Sequence, residues 1–194
     1  EPAEETIDAG FLAEGEMFTV RDLLYLSLIE SSNDAARALA QPLGEPAFVG
    51  LMNQEASSLA LSHTSFVNPS GLDRKDTGGA SNYSSASDTA ILVKYLFEEY
   101  PQLFDILSQK QFNLYTPQGS FHHTMYNTNE MLGWSVWPTE IYGGKTGWTV
   151  QAQGTLLLVV ESPNSNGYIV NVILGAEDRF AEMKEMLTWI LQSY

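Results

Sequence analysis

Apolar residues recur along this chain with two periods, and the change from one to the other divides it into a helical first half and a stranded second half. Val20, Leu23, Leu24 and Leu28 repeat at helical spacing behind Thr19, a good N-cap, with Asp22 at the third helical position. This predicts a helix to Ile29. Ser31-Ser32-Asn33-Asp34 interrupts the pattern and can cap the next helix, through Ala35, Ala36, Leu39 and Ala40, which Gly44 closes. A third helix is predicted over 45–61, with Phe48, Leu51, Met52, Ala56 and Leu59 along one face. Asn68-Pro69-Ser70-Gly71 and Gly78-Gly79 mark 62–79 as loop. A fourth helix starts at Ser84 or Ser85 and runs to Tyr100, where Pro101 stops it, and a shorter piece follows over 103–107.

Alternation then takes over. Residues 111–115 and 120–126 read as strands around Pro117-Gln118-Gly119. His122 and His123, adjacent on the second strand, are expected on opposite faces and so to share no metal ion. Residues 127–132 pass from polar loop into a short helix, and 156–161 with 168–174 predict an antiparallel hairpin. An amphipathic helix closes the chain over 179–194, turning Phe180, Met183, Leu187 and Ile190 inward. Residues 9–16 read as a short extended piece with a turn. Helices first and an antiparallel sheet last predict a single α+β domain over 1–194.

Composition narrows what such a domain can do. The 194 residues carry a net charge of −15, which disfavours nucleic acid and anionic lipid as partners. The count of zero cysteines rules out disulfides and thiolate metal sites, the acidic opening reads as solvated surface, and no metal or cofactor is expected. No apolar run reaches the ~18–20 residues of a membrane span, and no basic-then-apolar leader opens the chain. The expectation is a soluble chain.

The densest chemistry lies in Tyr142-Gly143-Gly144-Lys145-Thr146-Gly147-Trp148-Thr149. Glycines at 143, 144 and 147 strip side chains from the backbone so that another peptide can lie against it, while Lys145 and Thr146 offer a cation and a hydroxyl donor suited to a carboxylate. This reads as a substrate-binding edge strand. A K-T-G triplet alone arises by chance in roughly one chain of this length in twenty-five. Ser31-Ser32-Asn33, an S-x-N at the junction of two helices, makes the pairing far more specific.

S-x-N followed by K-T-G is the order found in penicillin-binding proteins and serine β-lactamases. With Asn68-Pro69-Ser70-Gly71-Leu72-Asp73, Tyr83-Ser84-Ser85-Ala86 and Asn127-Thr128-Asn129 also in place, the chain resembles, over nearly its whole length, the serine-type D-alanyl-D-alanine carboxypeptidases. The resemblance implies a β-lactamase/transpeptidase-like fold and acyl transfer on peptidoglycan stem peptides outside the cytoplasmic membrane. It also implies roles. Ser31 would relay a proton to the leaving amine, Asn33 would bond the acyl part of the peptide, and Lys145 would hold Ser31 and make the cleft positive. Thr146 and Arg179 would contact the terminal carboxylate, and the Trp148 N–H, beside Gly147 on the binding strand, would serve the oxyanion hole.

One element of that family is missing. Its nucleophile and base lie in an S-x-x-K motif, and the residues three before Lys75, Lys94, Lys110, Lys145 and Lys184 are Leu72, Ile91, Leu107, Tyr142 and Ala181. The chain therefore reads as an N-terminally incomplete domain without the leading strands and nucleophile helix, and these residues alone are expected to form no acyl-enzyme. β-Lactams are expected to bind the intact protein. The rivals are a non-catalytic relative that binds stem peptide or a protein partner, and a serine β-lactamase.

Overall fold

The computed structural model describes residues 12–13, 15–73, 81–164 and 167–193. The acidic opening and part of the loop at 62–79 lie outside the described residues. Helix α1 (Val20–Tyr25) starts at a capping box in which the Thr19 hydroxyl accepts from the Asp22 N–H at 3.1 Å and the Asp22 carboxylate accepts from the Thr19 N–H at 3.0 Å. Its continuation is not the plain α-helix that the spacing predicts. Residues Leu26–Glu30 widen into a π-helical turn, and the Leu26 carbonyl receives the N–H groups of both Ser31 and Ser32. Leu26, Ile29 and Glu30 are all buried, and the departure from plain α-helix lies in the widened hydrogen bonding that ends at Ser31 and Ser32.

Ser32 caps α2 (Asn33–Ala40) by accepting from the Ala35 N–H at 3.2 Å. Helix α3 (Glu45–Ser58) ends before residue 61, and along its expected inward face Ala56 is buried and Phe48, Met52 and Leu59 are half-buried, but Leu51 is 52% exposed. Hydrogen bonds also fasten it. The Asn53 side chain bonds both the N–H and the C=O of Phe66 at 2.8 Å. Ser85 caps α4 (Ala86–Glu99), and α5 (Gln102–Leu107) follows Pro101.

Strands β1 (Gln111–Tyr115) and β2 (Phe121–Tyr126) form a separate antiparallel pair, whose register slips between Leu114 and Tyr115. His123 faces Leu114 and Phe121 faces Tyr115, so His122 is an extra, bulged residue. The bulge overturns the expected alternation: His122 and His123 turn to the same side, with their Nδ1 atoms 2.6 Å apart. Among the described residues, no group of three or more histidines and carboxylates is arranged to hold a metal ion.

The main sheet runs β3 (Ile141–Thr149), β4 (Gln153–Glu161), β5 (Tyr168–Ala176), all antiparallel, with β3 at one edge as the sequence predicts. Both faces of β4 are covered, which explains its unbroken apolar run. Leu156, Leu158 and Val160 pack with Met131, Trp137 and the Met183, Leu187 and Ile190 stripe of α6 (Arg179–Ser193). Val159, on the opposite face, packs against Val93, Phe104 and Leu107 from α4 and α5. A third cluster joins Tyr25, Leu26, Ile29 and Ala35 to Ile106, Leu114 and Met125, fixing the start of the helical half against the hairpin.

Candidate active site

The two sequence motifs meet where the π-helical turn ends. Ser31 has left-handed backbone geometry, φ 67°, a conformation that costs a non-glycine residue about 1–2 kcal/mol. Its hydroxyl accepts from Lys145 Nζ at 2.6 Å, and Nζ also donates to the Thr146 carbonyl at 2.8 Å. Burial, reinforced by the Arg179 guanidinium, pushes the Lys145 pKa down from its ordinary 10.5 to about 8. No carboxylate lies at ion-pair distance from Lys145 or Arg179 among the described residues. The Arg179 guanidinium lies 4.8 Å over the Phe180 ring, and its buried Nε has no hydrogen-bond partner. The cleft is thus positive in a protein of net charge −15, a setting suited to an anionic ligand.

Strand β3 is pressed close to its neighbours. Gly143, at φ +135°, lies where a Cβ would come within 2.9 Å of the Leu107 backbone, and a Cβ at Gly144 would run into the Leu157 carbonyl oxygen. The room expected for a bound peptide at these two positions is taken up by α5 and β4. Asn127 secures the same junction by donating to the carbonyls of Leu107 at 3.2 Å and Gln109 at 2.9 Å. Asn129 starts the short 3₁₀ turn Glu130–Gly133 by accepting from the Met131 N–H, and Trp137 lies in the core behind it.

The remaining predicted residues are placed as follows. Asn33 is half-buried as the first residue of α2, two positions from Ser31. Thr146 is buried, and its hydroxyl is 2.6 Å from that of Thr128. Gly147 and Trp148 continue β3, with the Trp148 side chain 52% exposed and the residue paired with Gly154, beside which Arg179 packs. Ser31, Lys145 and Thr146 are therefore joined directly, and Arg179 acts on Lys145 through its charge. Sequence reasoning missed the Thr128 hydroxyl and the imidazole–carboxylate bond between His123 and Glu30, 3.1 Å long. The first carried a signal in Asn127-Thr128-Asn129. The second was hidden by the bulge.

Residues 3–178 match the family of D-alanyl-D-alanine carboxypeptidase. The chain belongs to this family. It is 32% identical over 193 residues to the D-alanyl-D-alanine carboxypeptidase DacC of Escherichia coli, covering 97% of this chain and 44% of that protein. Among solved structures, it resembles a peptidoglycan synthesis regulatory factor of Streptococcus pneumoniae with a TM-score of 0.82 at 25% identity, over 98% of this chain and 55% of the other. It also resembles a penicillin-binding protein of Listeria monocytogenes in its cefotaxime-bound form, with a TM-score of 0.76 at 28% identity, over 90% of this chain and 67% of the other. The fold is thus α+β of the penicillin-binding, transpeptidase-like type. The chain spans about half the length of the curated relatives it matches.

Proposed function

We propose that the protein is a serine-type D-Ala-D-Ala carboxypeptidase of peptidoglycan stem peptides, working outside the cytoplasmic membrane, and that these 194 residues are one N-terminally incomplete domain of it. The observation that carries this reading is the Lys145 Nζ to Ser31 Oγ hydrogen bond of 2.6 Å, made in a cationic cleft beside the edge strand β3. Lys145 and Arg179 attract the peptide's terminal carboxylate, and the Thr146 hydroxyl donates to it. Asn33 bonds the acyl portion, and the Trp148 N–H, following Gly147, stabilises the oxyanion.

The reaction is acyl transfer. A serine hydroxyl adds to the carbonyl of the D-Ala-D-Ala bond, the C–N bond breaks, and the leaving amine takes up a proton delivered through Ser31. Water then releases the acyl group from the serine. The nucleophile and its lysine belong to an S-x-x-K that these residues do not contain, so the 194-residue chain forms no acyl-enzyme and the intact protein does.

Intact mass of the full-length protein with and without penicillin tests this. We expect a gain of one penicillin mass, lost when the serine of its S-x-x-K is replaced. A well-folded full-length protein that gains no mass refutes the enzyme reading and leaves a stem-peptide-binding relative, the reading that an upstream sequence without S-x-x-K would favour.

A further inference from the structure

Glu30 is the residue immediately before Ser31, and it is 7% exposed. A carboxylate so placed is costly unless something bonds it. From β2, the His123 Nε2 edge meets the two Glu30 carboxylate oxygens, each at 3.1 Å. The other edge of the same ring meets His122 Nδ1 at 2.6 Å, and His122 Nε2 reaches Glu16 at 3.2 Å. This four-membered chain exists because His122 is bulged. Regular pleating would send one of the two rings to the opposite face.

A second tether runs alongside, from the Thr128 N–H to the Ile29 carbonyl at 3.2 Å. The hairpin and the loop after it thus hold both residues that precede Ser31. Such holding matters because the local conformation is disfavoured twice, by the π-helical turn and by left-handed Ser31. Relaxation of the turn to α-helical register would rotate Ser31 by about 100° around the helix axis, carrying its hydroxyl off Lys145.

We propose that His123 and Glu30 are positioning residues for Ser31: their hydrogen bond locks the π-helical turn so that Ser31 Oγ stays on Lys145 Nζ. The catalytic consequence rests on the role proposed for Ser31 above. The bulged His122 and Glu16 hold the His123 ring in the orientation that presents Nε2 to Glu30.

Two conservative variants of the full-length protein separate positioning from mere structure. In His123→Gln the side-chain amide nitrogen falls near the former Nε2 and keeps the bond to Glu30. In His123→Asn it falls near the former Nδ1 and loses that bond. We expect His123→Asn to lower the melting temperature and to slow penicillin acylation of the folded protein about 10-fold with non-covalent affinity nearly unchanged, and His123→Gln to stay within about 2-fold of wild type. In a Ser31→Ala background His123→Asn should cost nothing further.

The NMR titration of the Lys145 ammonium supplies a readout that needs no chemistry. His123→Asn and Ser31→Ala should move it in the same direction, and His123→Gln should leave it in place. Equal behaviour of the Asn and Gln variants, or a full additional loss in the Ser31→Ala background, overturns the inference. If wild type forms no adduct while Lys145 responds as stated, the enzyme reading fails and the positioning stands. If Lys145 ignores His123→Asn, the positioning fails whatever penicillin does.

Discussion

The layer between α6 and the sheet and the seam between Ser31 and β3 are built on opposite principles. In the first, Met183, Leu187 and Ile190 repeat at helical spacing and meet Leu156, Leu158 and Val160, which alternate along β4. None of these six residues has a positive φ. In the second, a π-helical turn and a left-handed serine meet a glycine at φ +135° and a desolvated cation that has no carboxylate at ion-pair distance among the described residues. The first region stores stability and the second spends some of it to fix a geometry. Substitutions should therefore separate: those in the layer change folding, and those in the seam change chemistry.

The largest expected separation comes from Lys145→Ala. Removing the group that bonds Ser31 should lower penicillin acylation of the full-length protein about 1,000-fold, while the unfolding free energy holds or rises, because a buried ammonium close to Arg179 is gone. Acylation kinetics and denaturant unfolding on one preparation check both halves. In the opposite corner, Leu187→Ala should cost about 3 kcal/mol of stability, measured by urea unfolding, and leave the acylation rate of the folded protein unchanged. A comparable loss of rate would show that the two regions are coupled.

The same contrast explains what could be read in advance. The α6 stripe, the β4–β5 hairpin and the capping box at Thr19 were legible because each obeys a simple period or a local capping rule. Leu51 was misjudged because it lies at the uncovered margin of α3, which Asn53 also ties to Phe66 by hydrogen bonds. In the seam, Lys145 and Ser31 were legible only as motifs, since no periodicity announces that residues 114 positions apart will share a hydrogen bond. The His122–His123 contact contradicted a sound alternation rule, because a bulge is a tertiary choice that this strand's residue pattern does not announce.

Smaller effects sharpen the boundary. Ser32 is 2% exposed and caps α2 in the middle of the seam, so Ser32→Ala should cost about 1 kcal/mol in thermal or urea unfolding. This places it between the two classes.

The smallest effect is in pH. With the Lys145 pKa at about 8, the ammonium is charged below that value and neutral above it. Affinity for a carboxylate-ended peptide should therefore fall a few-fold as pH rises through 8, and an amide-ended peptide should show no such fall. Stability runs the other way. A lysine whose folded pKa is depressed from 10.5 penalises the folded state fully below about 8, and the penalty is relieved as pH climbs from 8 toward 10.5. Binding and unfolding measured across that interval should show slopes of opposite sign.

The central claim is that the Ser31–Lys145 seam is the substrate-binding half of a D-Ala-D-Ala carboxypeptidase. Its most direct test is release of D-alanine from an acyl-D-Ala-D-Ala peptide by the full-length protein, compared with the Lys145→Ala variant. We expect one D-alanine per peptide from wild type and almost none from the variant at equal folded concentration. No release by well-folded wild type, or equal release by both, would contradict the account.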